Sequence, residues 1–90
     1  MYIKLSSFLV VGLKRSGYSI TKLLLERGAE VYIYDPSSEE YVENNKNELA
    51  CLNAKITLDP LDTINFVDVL VLSPGVPIDS EIAIYAKKIK

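Results

Sequence analysis

Hydrophobic positions along this chain follow two alternating rhythms. Ser7-Phe8-Leu9-Val10-Val11 is an almost continuous apolar run that stops at Gly12, as expected of a central strand buried on both faces of a parallel sheet. From Ser16 the spacing becomes helical. Leu13, Gly17, Ile20, Leu23 and Leu24 share one face, Lys22, Glu26 and Arg27 turn to water, and Gly28 supplies the stop. Glu30-Val31-Tyr32-Ile33-Tyr34 is β-branched and aromatic, and it closes at Asp35-Pro36, where proline lacks the amide a strand needs. Ser37 or Ser38 then caps a second helix, with Glu39 and Glu40 at its positive end. That helix runs through Tyr41, Val42 and Leu49, and Asn44-Asn45 weakens it midway. Residues 55–58 read as a short third strand, Asp59-Pro60 as a turn, residues 61–66 as a brief helical segment and residues 67–72 as a fourth strand. A last helix, capped by Asp79 or Ser80, spans residues 81–88 and carries its lysines at the negative end.

Strand and helix alternate four times with short connections. This order predicts an α/β fold, a Rossmann-like doubly wound parallel sheet with right-handed crossovers. The last helix leads toward a fifth strand, so residues 1–90 are expected to be one domain of a longer multi-domain protein, with four strands present and the fifth truncated.

Composition narrows the function. At 49% hydrophobic and 24% charged, ninety residues bury one core and leave no room for a second. A net charge of −2, with acids and bases interspersed, gives no basic field for nucleic acid beyond Lys14-Arg15 and Lys87-Lys88-Ile89-Lys90. With no histidine, imidazole triads and the common zinc sites are out of reach. The lone Cys51 reads as a small core residue. No apolar stretch reaches the ~18 residues of a membrane span, and Met1-Tyr2-Ile3-Lys4 is unlike a signal peptide, so a cytoplasmic protein without membrane partners is expected.

The candidate chemistry lies in two strand-to-helix turns. In Val10-Val11-Gly12-Leu13-Lys14-Arg15-Ser16-Gly17, Gly12 and Gly17 take the first and third places of the dinucleotide fingerprint: one for the tight turn, the other for close packing of helix on strand. Lys14 stands in the middle place, where pyrophosphate usually meets bare backbone, and this counts against NAD. Asp35, at the end of the second strand, is placed either to accept a ribose hydroxyl or base N–H or simply to punctuate a turn. After the fourth strand, Ser73-Pro74-Gly75 joins a fixed φ, a permissive glycine and a hydroxyl, fit for one wall of a ligand slot.

With these residues in hand the chain resembles the Mur ligases of peptidoglycan synthesis, most closely the branch that adds D-glutamate. The resemblance covers essentially the whole chain. It rests on residues 10–17, on Arg27-Gly28-Ala29-Glu30-Val31 leading to Tyr34-Asp35, and above all on Leu70-Val71-Leu72-Ser73-Pro74-Gly75-Val76-Pro77. It implies a Rossmann-like N-terminal domain that binds the UDP part of UDP-N-acetylmuramoyl-L-alanine. It further implies central and C-terminal domains elsewhere that hold ATP and Mg2+ and complete an amide-forming site. No cofactor and no catalytic residue is then expected in these ninety residues, which would be inactive alone. A Gly-x-x-x-x-Gly-Lys-Ser/Thr loop is absent, in keeping with an ATP site elsewhere.

Carried over by position, the resemblance implies that Leu13, Lys14, Arg15 and Ser16 lie along the diphosphate, with Ser16 giving its hydroxyl and amide. Asp35, Pro36 and Ser37 would border the uracil, and Ser73, Pro74 and Gly75 would close the opposite side. Lys14 departs from the family, where small residues are usual. It either reaches the diphosphate with Arg15 as a charged donor or narrows the slot. Three rivals share parts of the pattern: an NAD-binding oxidoreductase or regulatory domain, a ligase that adds L-alanine or recycles murein peptides, and a domain that only docks others.

Overall fold

A computed structural model of the chain describes residues 7–73. Strands β1 (Ser7–Val11), β2 (Glu30–Tyr34), β3 (Lys55–Ile56) and β4 (Val69–Leu72) form one sheet in the order β3-β2-β1-β4, every pair parallel. The chain thus winds outward from β1 to β2 and β3, then returns to lay β4 on the other side of β1. That reversal is the doubly wound pattern the sequence predicts.

The two faces of the sheet bury different residues, because side chains alternate along each strand. Phe8 and Val10 of β1 join Val31 and Ile33 of β2 beneath Leu24 of helix α1 (Arg15–Glu26) and Val42 and Leu49 of α2 (Glu40–Cys51). Leu9 and Val11 pack on the opposite face with Ile64 and Val67, which follow the short helix α3 (Pro60–Thr63). At the amino edge, Ser7 and Asp68 fix the register of β1 against β4. The Asp68 carboxylate accepts from the Ser7 N–H at 2.9 Å and from its hydroxyl at 3.2 Å, and the Asp68 N–H donates to the Ser7 carbonyl at 2.9 Å.

Both long helices end in the same way. The Gly28 N–H donates to the Leu25 carbonyl and the Ala29 N–H to that of Leu24; the N–H groups of Asn53 and Ala54 do the same to Ala50 and Leu49. Each is a Schellman turn with its pivot at φ 81, a left-handed value that glycine and asparagine tolerate. Gly28 is therefore the expected stop. On their exposed faces the helices are linked by Tyr18, whose hydroxyl donates to Glu48, and by Lys22, 3.5 Å from the same carboxylate. The Glu48 bond, helped by partial desolvation, pushes the Tyr18 phenol above its ordinary value, and Lys22 is pushed up by Tyr18 and then Glu48.

Several boundaries differ from expectation. On α1 the buried face carries Thr21, not Leu23, which is 44% exposed. The Thr21 hydroxyl satisfies itself on the Gly17 carbonyl at 2.7 Å, so a polar residue can sit inward. Helix α2 starts at Glu40, after Glu39, and no side chain caps it; the Asn44-Asn45 pair does not interrupt it. Residues 57 and 58 lie past β3, although the Thr57 N–H still reaches the Ile33 carbonyl. Helix α3 starts earlier than predicted and ends at Thr63, capped by Asp59, whose side chain accepts from the Asp62 N–H. Cys51 is exposed, because it ends α2 on the side away from Leu49. The predicted helix over residues 81–88 lies outside the described residues, as does any fifth strand.

Candidate functional site

The loops after β1 and β2 and Ser73, which follows β4, meet at the carboxyl edge of the sheet, where the crevice of an open α/β sheet forms. Gly12 ends β1 at φ 94, and its N–H donates to the Tyr34 carbonyl at 2.8 Å, so the first turn is stitched to the end of β2. A Cβ on Gly17 would stand 1.6 Å from the Gly12 carbonyl oxygen. The two glycines thus do what the sequence assigned them, one turning the chain and the other letting α1 lie directly on that turn.

Asp35 is buried, and its carboxylate ties the two loops together. One oxygen accepts from the Leu13 N–H at 2.7 Å and the other from the Ser37 N–H at 2.9 Å. The Ser37 bond spans Pro36 as an Asx-type turn, which carries the chain past Ser38 before α2 begins. The Ser37 hydroxyl accepts from the Glu39 N–H at 3.1 Å. A carboxylate has about four lone-pair directions, so two protein donors leave acceptor capacity.

Leu13 has its side chain in the core. Its carbonyl accepts at 2.9 Å from Nδ2 of Asn45, which projects from the middle of α2. Lys14, Arg15 and Ser16 follow, all exposed, and open α1. Lys14 is the N-cap residue, yet no side chain caps this helix and its first turn holds no acid. The helix therefore presents uncapped N–H groups beside two cations, the arrangement that receives anions. Lys14 Nζ lies 3.6 Å from Glu39 Oε1, both side chains more than half exposed, so the pair is weak and easily exchanged.

From β4 comes Ser73. It is buried, and both its N–H and its hydroxyl donate to the Val11 carbonyl at 3.1 Å, which brings it against the glycine turn. Pro74 and Gly75 lie outside the described residues. The structure thus gathers Gly12, Leu13, Lys14, Arg15, Ser16, Gly17, Asp35, Pro36, Ser37 and Ser73 at one edge. Asn45 was not foreseen. The available signal was its spacing, since Val42, Asn45 and Leu49 share the inward face of α2.

Among the described residues no three His, Cys, Asp or Glu side chains converge. Nor is any described helix long and apolar enough to cross a membrane.

Sheet order, glycine turn and switch point together define a doubly wound α/β domain of the Rossmann-like class. No family model matches the chain. It is similar to the UDP-N-acetylmuramoylalanine--D-glutamate ligase of Geobacter metallireducens, 39% identical over 82 residues, which is 89% of this chain and 18% of that protein. The enzymes of the same name from Geotalea daltonii and a Thermoanaerobacter species are 36% and 35% identical over 97% and 100% of this chain, and 20% of each relative. Along most of its length the chain is thus recognisably a Mur ligase sequence, and it fits the N-terminal domain of one. It spans about a fifth of the length of the curated relatives it matches.

Proposed function

We propose that this chain is the N-terminal domain of a cytoplasmic UDP-N-acetylmuramoylalanine:D-glutamate ligase and binds the UDP part of UDP-N-acetylmuramoyl-L-alanine. The observation that carries this is the uncapped amino end of α1, set at the switch point of the sheet and flanked by Lys14 and Arg15. There the diphosphate meets backbone N–H groups and the positive end of the helix. Leu13 forms the buried root of that turn, Ser16 gives its amide and hydroxyl, and Lys14 leaves Glu39 to join Arg15 as a charged donor. Asp35, Pro36 and Ser37 border the uracil, while Ser73, Pro74 and Gly75 close the other side of the uridine. In the whole enzyme, ATP with Mg2+ supplies the phosphate that activates the substrate carboxylate for attack by the amine of D-glutamate. That chemistry belongs to the central and C-terminal domains, and these ninety residues do not catalyse it alone.

A ligand that binds only the folded state raises its melting temperature. UDP and UDP-N-acetylmuramoyl-L-alanine at millimolar concentration are expected to raise that of this chain, and NAD to leave it unmoved. Stabilisation by NAD alone, or by none of the three, overturns the proposal. The cation has its own test. Lys14→Gly is expected to weaken UDP binding about tenfold, the effect of one hydrogen bond to a charged group. Calorimetric titration giving unchanged or tighter binding would show that Lys14 only narrows the slot.

A further inference from the structure

We infer that Asn45 is a positioning residue for the diphosphate turn, acting through the peptide that joins Leu13 to Lys14; this rests on reading that turn as the diphosphate site. Asn45 occupies an inward position of α2 between Val42 and Leu49, both fully buried, and is itself half-buried. An asparagine there lowers helix propensity and sets a polar amide against an apolar stripe. Its Nδ2 meets the Leu13 carbonyl at 2.9 Å across 32 residues of sequence. The orientation of the amide is unambiguous, because a carbonyl only accepts.

The consequence follows from the planarity of the peptide. Asp35 holds the Leu13 N–H, which fixes the plane between Gly12 and Leu13. Asn45 holds the Leu13 carbonyl, which fixes the next plane, between Leu13 and Lys14. In a trans peptide the N–H points opposite to the carbonyl, so the Lys14 N–H is turned away from α2. Two successive planes are thus set immediately before the first turn of α1, by side chains that come from different elements. Without the Asn45 bond the second plane is free to rotate, and the Lys14 amide and the start of α1 lose their direction. A donor group displaced by about 1 Å no longer meets its ligand well.

Calorimetric or NMR titration of the ninety-residue chain tests this, with UDP and uridine as the two probes. Asn45→Ala is expected to bind UDP about fivefold more weakly and uridine as the wild type does. Equal losses for both probes, or no loss for UDP, overturn the inference. Asn45→Asp is the second variant. Ionised, its carboxylate faces the Leu13 carbonyl and repels it; protonated, it regains a donor. Its UDP affinity relative to wild type at the same pH is expected to be lowest near neutrality and to recover as pH falls toward about 4, the ordinary aspartate range. A ratio that does not change with pH overturns the inference even if the alanine variant fails to fold. Failure of the wild type to bind UDP would instead sink the reading of the site, and the inference with it.

Discussion

Gly17→Ala is expected to remove about 3–5 kcal/mol of folding stability, the range of the most disruptive single substitutions. The added Cβ would stand 1.6 Å from the Gly12 carbonyl oxygen and 2.8 Å from its carbon, and both are backbone atoms. Neither can easily swing aside, because the Leu13 N–H of the same peptide is held by Asp35 and the Gly12 N–H by Tyr34. The helix would have to lift from the sheet, and Leu24 with it. Alanine gains about 1 kcal/mol of helix propensity over glycine, too little to offset this. A domain of this size has about 5–13 kcal/mol in all. The urea midpoint should therefore fall steeply, and a midpoint at or above that of the wild type would show that α1 does not rest on the turn as described.

Asp35→Ala is expected to cost about 3 kcal/mol and to abolish ordered binding at the carboxyl edge. Two N–H groups lose a charged acceptor together, and that of Leu13 is buried where water cannot replace it. Asp35→Asn is milder, at about 1–2 kcal/mol, because an amide keeps one acceptor for Ser37 or Leu13 but turns a donor toward the other. Urea unfolding measures both losses, and amide hydrogen exchange at Leu13 locates them. If Asp35→Ala unfolds within about 0.5 kcal/mol of wild type, the range of an inconsequential surface change, the carboxylate does not brace the two loops.

The strands were legible because their signals are local. β1 and β2 begin and end where the apolar runs and their terminators, Gly12 and Asp35-Pro36, place them. The roles of Gly12 and Gly17 could be read because a turn and a close approach are both demands on a missing side chain. Helix phase was harder. Leu23 looked inward by type, but Thr21 took the place because the Gly17 carbonyl satisfies its hydroxyl. Cys51 misled for a related reason: an apolar type says nothing of which side of a helix end it will occupy. Asp35 is conspicuous in the sequence as the acid that closes β2, but its two partners depend on how Leu13 and Ser37 are brought together. In the sequence Asn45 stands only as a weakness of α2, since its compensation lies 32 residues away on a carbonyl that only the folded sheet delivers.

The connections at the two ends of the sheet are closed by different materials. The turns from α1 to β2 and from α2 to β3 are sealed by main-chain bonds around Gly28 and Asn53, so beyond those two pivots and the buried Ala29 and Ala54 the path there depends little on side chains. The turns that leave β1 and β2 are held by the side chains of Asp35 and Asn45, so their shape is written in particular residues. Drift in sequence is absorbed at one end of the molecule, while at the other a single substitution can reshape what the domain recognises and leave the sheet beneath it intact.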